Sequence, residues 1–90
     1  MEIGVHIIVK GLVQGVGFRY YVERQAVQLS LRGYVRNLFN GDVEIETEGD
    51  RSLIEEFIKE VKIGPRSAHV KDLKIEWTEY QNKFKGFEVR

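Results

Sequence analysis

The chain has 90 residues, with 14 basic residues against 14 acidic ones and no cysteine. A chain of this size buries only about 60–65% of its unfolded surface, which predicts one modest core, a single domain over residues 1–90 and at most two layers of secondary structure. The charge balance excludes a general polyanion binder while leaving room for a local positive site, and the lack of cysteine excludes disulfides, thiolate zinc sites and cysteine nucleophiles.

Along the chain, Val5, Ile7 and Val9 alternate with His6, Ile8 and Lys10, the period of a strand with one buried face. The stretch GLVQGVGFR follows at residues 11–19, with glycines at 11, 15 and 17. From Phe18 the period changes: Phe18, Val22, Ala26 and Leu29 form one helical stripe, with Glu23, Arg24 and Gln28 on the wet side. Residues 31–37 (LRGYVRN) read as a second strand, LFNG at 38–41 as a turn in which Asn40-Gly41 supplies positive φ, and DVEIETE at 42–48 as a third strand. In that third strand Val43, Ile45 and Thr47 point in, and Glu44, Glu46 and Glu48 form a solvated row. A second helix opens after Gly49, capped by Asp50 or by Ser52 with Glu55 in a capping box, and buries Leu53, Ile54, Phe57, Ile58 and Val61. Gly64-Pro65 stops it. Residues 70–80 form a last long strand with Leu73, Ile75 and Trp77 on one face, and GFEVR adds a short strand through Phe87 and Val89.

The order β-α-β-β-α-β predicts an α+β chain with the ferredoxin-like split βαβ sandwich, an antiparallel sheet with two helices on one face. In this topology the first two strands run the same way with the third antiparallel between them. Their C-terminal ends share one edge of the sheet, two strand spacings or roughly 10 Å apart. The loop after strand 1, Arg19 and Asn37 therefore converge.

At that edge the loop has a specific chemistry. The first N–H groups of a helix have no internal partner, and glycines at 15 and 17 let successive N–H groups turn toward one point. The helix dipole and the forked charge of Arg19 favour a compact anion with several oxygens. Neither common phosphate loop fits: Gly15 is followed by Val16-Gly17 where a Walker loop needs lysine, and Tyr20 stands where the dinucleotide motif needs its third glycine. A plain strand–helix turn and a surface arginine are the better explanations of these features when each is taken alone.

GLVQGVGFR followed by GYVRNLFNGDVEIETEG closely resembles the two signatures of the acylphosphatase family. The first runs glycine, two residues, glutamine-glycine-valine, one residue, phenylalanine-arginine. The second runs glycine-aromatic-valine-basic-asparagine, three residues, glycine, one residue, valine. The resemblance extends over almost the whole chain and implies the ferredoxin-like sandwich reached from periodicity. It implies metal-independent hydrolysis of acyl phosphates to carboxylate and phosphate, with no cofactor. The catalytic arginine and asparagine map onto Arg19 and Asn37, and the phosphate cradle onto the backbone of Gln14, Gly15, Val16, Gly17, Phe18 and Arg19. One departure is Ser30, where the family has glycine after the leucine that ends the first helix. If that residue takes positive φ, serine costs about 1 kcal/mol.

Other residues have blander readings. His6 and His69, the only histidines, are too few for a multi-histidine metal site. Tyr20, Tyr21 and Tyr34 read as packing or surface aromatics, Ser52 as a cap and Ser67 as a loop residue. An RNA-binding sheet of this topology needs aromatic and basic residues on its third strand, and this one is acidic. A second alternative is a non-catalytic phosphate- or carbamoyl-phosphate-binding module of a larger assembly; Arg19 and Asn37 together, in a chain of this length, favour the free enzyme. The expected partners are small-molecule acyl phosphate and phosphate, with no nucleic acid and no membrane. The N-terminus lacks a signal-peptide pattern, and no apolar run reaches membrane length. Together with the missing cysteines this predicts a cytoplasmic protein; the sheet edges and exposed aromatics leave it a monomer or weak homodimer. The high charge content and single proline are of a kind seen in heat-stable proteins.

Overall fold

Period-two alternation carries strand β1 (Glu2–Leu12) through the interior of the sheet in the computed structural model, which describes residues 1–90. Helix α1 (Phe18–Gln28), β2 (Arg32–Asn37), β3 (Val43–Asp50), helix α2 (Arg51–Ile63), β4 (His69–Thr78) and β5 (Phe87–Val89) follow. The strands lie in one sheet in the order β4-β1-β3-β2-β5. β1 pairs antiparallel with β3 and β4, and β2 pairs antiparallel with β3. The β-α-β-β-α-β expectation therefore stands. One refinement is needed, because β5 pairs parallel with β2 and the sheet is mixed at that edge.

The core lies between the sheet and the two helices. Val5, Ile7 and Val9 of β1 are fully buried, as are Val43 and Ile45 of β3 and Val35 of β2. They meet Phe18, Val22 and Ala26 of α1 and Ile54, Phe57, Ile58 and Val61 of α2. Each helix contributes the stripe its spacing dictates, and both lie on the same face. Leu29 sits one residue past α1 as its C-cap and packs at the margin of the core. Tyr21 ties the helices together by donating its hydroxyl to the Glu60 carbonyl at 2.8 Å.

α2 starts on Asp50, whose carboxylate accepts the Ser52 N–H at 3.2 Å. Asp50, not Ser52, is thus the cap. Gly64 ends the helix at φ 67°. The end of α1 uses Ser30, at φ 57°. Serine does occupy the left-handed position where the resemblance implies glycine, and the stability cost of about 1 kcal/mol applies.

The acidic row on β3 departs from expectation. Glu44 and Glu46 are half-buried and Glu48 is only 2% exposed. The chain after β4 folds over this face: the N–H groups of Gln81 and Lys83 donate to Glu48 at 2.7 and 3.0 Å, and the Lys83 ammonium lies 2.6 Å from Glu46. Two fixed donors and a cation replace the water that a solvated row would have used. Strand alternation places the acids on the outer face correctly, but it carries no information about what covers that face 33 residues later.

Candidate active site

The loop between β1 and α1 is short because the chain must reverse onto the helix face within five residues, 13–17. Gly15 and Gly17 achieve this at φ 72° and 75°, and Gly17 is the N-cap of α1 with no side-chain cap bond. A Cβ at either position would meet nothing within 4 Å. Backbone conformation, not crowding, demands glycine there, and a side chain would project into open space. Gly11 differs: it sits at a bulge where a Cβ would lie 2.1 Å from the His69 carbonyl oxygen. The three glycines of GLVQGVGFR thus serve two purposes, close strand packing at 11 and the left-handed turns at 15 and 17.

These residues line a small cavity of about 90 Å³, bounded by Val13, Gly15, Gly17, Phe18, Arg19, Tyr20 and Asn37. Its size suits a compact anionic group, well below the 300–1,000 Å³ typical of drug-sized ligands. Arg19, in the first turn of α1, and Asn37, at the end of β2, come together on it from the two strand ends that topology places side by side. No acidic residue occupies the first turn of α1, so the positive end of the helix faces the cavity without an internal counter-charge. The Arg19 guanidinium is oriented by donating from Nη1 to the main-chain oxygen of Arg90 at 2.7 Å. Asn37 Oδ1 is buried and accepts no hydrogen bond from the protein. Such an atom costs stability, on the order of 1–3 kcal/mol, and positions of this kind recur where a group is kept ready for function.

Of the six cradle residues, Gly15, Gly17, Phe18 and Arg19 line the cavity, and Gln14 and Val16 do not. The Gln14 side-chain amide donates to the carbonyls of Leu38 and Asp42, at 2.7 and 2.8 Å. It thereby ties the loop to the β2–β3 turn that follows Asn37. The Val16 carbonyl accepts from the Ser67 hydroxyl at 2.9 Å. Spacing along the chain gave no signal for either tie, because the partners are 24 to 51 residues apart.

The neighbouring ion pairs shape the electrostatics of the same end of the sheet. Lys10 lies 2.8 Å from Asp42 and, by that hydrogen bond, holds its carboxyl below the usual range. Burial pushes the Glu44 carboxyl up, but hydrogen bonds from His6 and Arg36 outweigh it and bring the group below its ordinary value. Burial, with Glu44 and Glu46 alongside, pushes the Tyr34 hydroxyl up to about 12. His6 is therefore a hydrogen-bond partner of Glu44 on the outer face. No group of three or more His, Asp or Glu side chains is placed to hold a metal ion, and no helix is long and apolar enough to cross a membrane.

The family model described as Acylphosphatase matches residues 5–89. The acylphosphatase of Chlorobaculum tepidum is 45% identical over 85 residues, covering 94% of this chain and 92% of its own. The crystal structure of acylphosphatase from Bacillus subtilis superposes with a TM-score of 0.95 at 35% identity, covering 98% of both chains. The T. kodakarensis HypF structure gives a TM-score of 0.85 at 37% identity, covering all of this chain but 12% of that one.

Proposed function

The chain belongs to the acylphosphatase family and is an acylphosphatase, a hydrolase acting on acyl phosphates, and we propose that the cavity between Arg19 and Asn37 is where the reaction occurs. The phosphate group of the substrate sits against the Gly15–Arg19 backbone, where N–H groups, the α1 dipole and the Arg19 guanidinium meet its charge. The Asn37 side-chain amide orients a water in line with the leaving carboxylate, Oδ1 accepting one of its protons in a hydrogen bond. The water oxygen bonds to phosphorus as the P–O bond to the acyl group breaks. The carboxylate leaves with that electron pair, and a phosphate oxygen takes the water proton.

An acyl phosphate has a good leaving group, so positioning and charge stabilisation supply the catalysis. The observation that carries the proposal is the meeting of Arg19 with a buried, unpartnered Asn37 Oδ1 on one anion-sized cavity. Gln14 and Val16 serve by holding the loop. Residues 1–90 act as one domain. The same reading makes the chain cytoplasmic, with neither nucleic acid nor membrane as partner, supported by the absent cysteines and balanced charge. Its outer-face ion pairs support heat stability.

Hydrolysis of benzoyl phosphate after EDTA treatment, followed by absorbance, tests this. Wild type turns over without added metal and is inhibited competitively by phosphate. Arg19→Ala and Asn37→Ala each lose about a hundred- to thousand-fold, the scale of one preorganised donor, with unchanged circular dichroism. A folded wild type without turnover would support the anion-binding module instead. A variant that kept full activity would remove that residue from the mechanism.

A further inference from the structure

A cavity of about 90 Å³ takes the phosphate group of an acyl phosphate and leaves the acyl group at its mouth. Every substrate presents the same phosphate to Arg19 and Asn37, so whatever stands at the mouth decides between acyl groups. Of the seven lining residues, two are glycines, Arg19 and Asn37 are polar, and Val13 and Phe18 are each 1% exposed. Tyr20 alone among them presents an apolar side chain to solvent, at 58% exposure.

The other three tyrosines are built into the fold. Tyr21 donates its hydroxyl to the Glu60 carbonyl, and its ring stacks on Phe18. Tyr34 donates to Glu46 and meets Phe84 edge to face. Tyr80 donates to Asn82 and lies under the Arg32 guanidinium. The Tyr20 ring has no aromatic partner and no cation over it, although it directly follows Arg19 in the first turn of α1. We propose, on the reading of the cavity as the phosphate site, that Tyr20 recognises the acyl group and that the enzyme favours acyl phosphates whose carbonyl carries a flat apolar group, an aromatic ring foremost.

There is room for such a group. A Cβ at Gly15 or Gly17 would meet nothing within 4 Å, so the space in front of both left-handed turns is open. An acyl group extending from the bound phosphate meets the Tyr20 ring as the one exposed apolar side chain of the lining. A planar ring laid on it in an offset stack buries apolar area on both partners. An acetyl group offers one methyl and gains little; a carbamoyl group is polar and gains less. The contact is made to a part of the substrate that does not react. It is as strong in the ground state as in the transition state, so it lowers KM and leaves kcat alone. A residue that merely braced α1 would change both constants for every substrate.

Steady-state kinetics of Tyr20→Ala on benzoyl phosphate and acetyl phosphate test this, with phosphate and phenylphosphonate as competing inhibitors. Phenylphosphonate is expected to inhibit wild type more tightly than phosphate does. In Tyr20→Ala the KM for benzoyl phosphate and the Ki for phenylphosphonate rise about tenfold, the scale of one aromatic contact. The advantage of benzoyl over acetyl phosphate in kcat/KM shrinks by the same factor. Alanine suits a helix, and circular dichroism checks that the variant is folded. Tyr20→Phe restores the wild-type values, because the ring and not the hydroxyl makes the contact. Losses shared equally by both substrates, an unchanged KM for benzoyl phosphate, or a Tyr20→Phe variant as impaired as Tyr20→Ala each overturns the proposal. A wild type that binds neither inhibitor removes the phosphate site, and the proposal with it.

Discussion

Two junctions in this molecule carry a strand into a helix, and they treat the positive end of the helix in opposite ways. At β3–α2 the chain supplies its own anion: Asp50 caps the helix, and the Met1 ammonium lies 2.9 Å from its carboxylate. At β1–α1 the cap is Gly17, with no side-chain bond and no acid in the first turn, and a cavity lies in front of it. The same half of a split βαβ unit is thus sealed by a carboxylate in one copy and left open to an external anion in the other. The two helix starts differ in the cap side chain and in its backbone, left-handed at Gly17 and extended at Asp50.

Closing the open junction should have the largest effect. Gly17→Asp puts a carboxylate at the cap position that Asp50 holds in the other helix, beside the cavity, and aspartate tolerates the left-handed φ better than most residues. Benzoyl phosphate turnover should fall by more than about a hundred-fold, the scale of one preorganised donor, and phosphate should cease to inhibit. A folded variant that still binds phosphate would break the comparison.

The far ends of the two helices offer a smaller test. α2 ends on Gly64 at φ 67° and α1 on Ser30 at φ 57°. Ser30→Gly should stabilise the fold by about 1 kcal/mol, raising Tm by about 4–8 °C for a domain this size with turnover unchanged. An unchanged or lowered Tm would show that the serine is not strained.

Opening the sealed junction should have the smallest effect, confined to acid. The Ser52 hydrogen bonds and the Met1 ammonium hold the Asp50 carboxyl at about 2, against an ordinary value of 3.8. A depressed carboxyl stabilises the fold above its unfolded value and loses that contribution as pH falls through its folded one. Asp50→Asn should therefore lower Tm by a constant amount above about pH 5, with the difference shrinking between about pH 5 and pH 2 and vanishing only below pH 2. Curves that remain parallel down to pH 2 would show that the ionised cap is not what stabilises α2.

The elements and the convergence of Arg19 with Asn37 were legible in the sequence because each rests on a local pattern. Alternation at Val5, Ile7 and Val9, a helical stripe from Phe18 to Ala26, and an Asn-Gly turn fix strand direction, and direction alone brings the ends of β1 and β2 together. What the pattern missed is long-range and polar. Glu48 carries the spacing of a solvated residue and is buried because residues 81 and 83 donate to it. Ser67 reads as loop and holds the Val16 carbonyl. The β2–β5 pairing is parallel, a relation that three residues of alternation cannot specify. Hydrophobic period records burial by elements that pack flat on each other; it does not record a single hydrogen bond from a distant segment.

The reach of Gln14 bears on how such a site could be moved. Its amide grips the carbonyls of Leu38 and Asp42, on either side of the turn that follows Asn37. Main-chain carbonyls are present in any sequence, so the grip depends on turn shape rather than on turn residues. Transplanting residues 11–19 into another sheet of the same topology would carry the anion loop but not its anchor unless a turn of the same form came with it. The smallest portable unit is the pair of segments, loop and turn together, and a designer who swapped turns freely at 38–42 would alter a site that none of those residues touches.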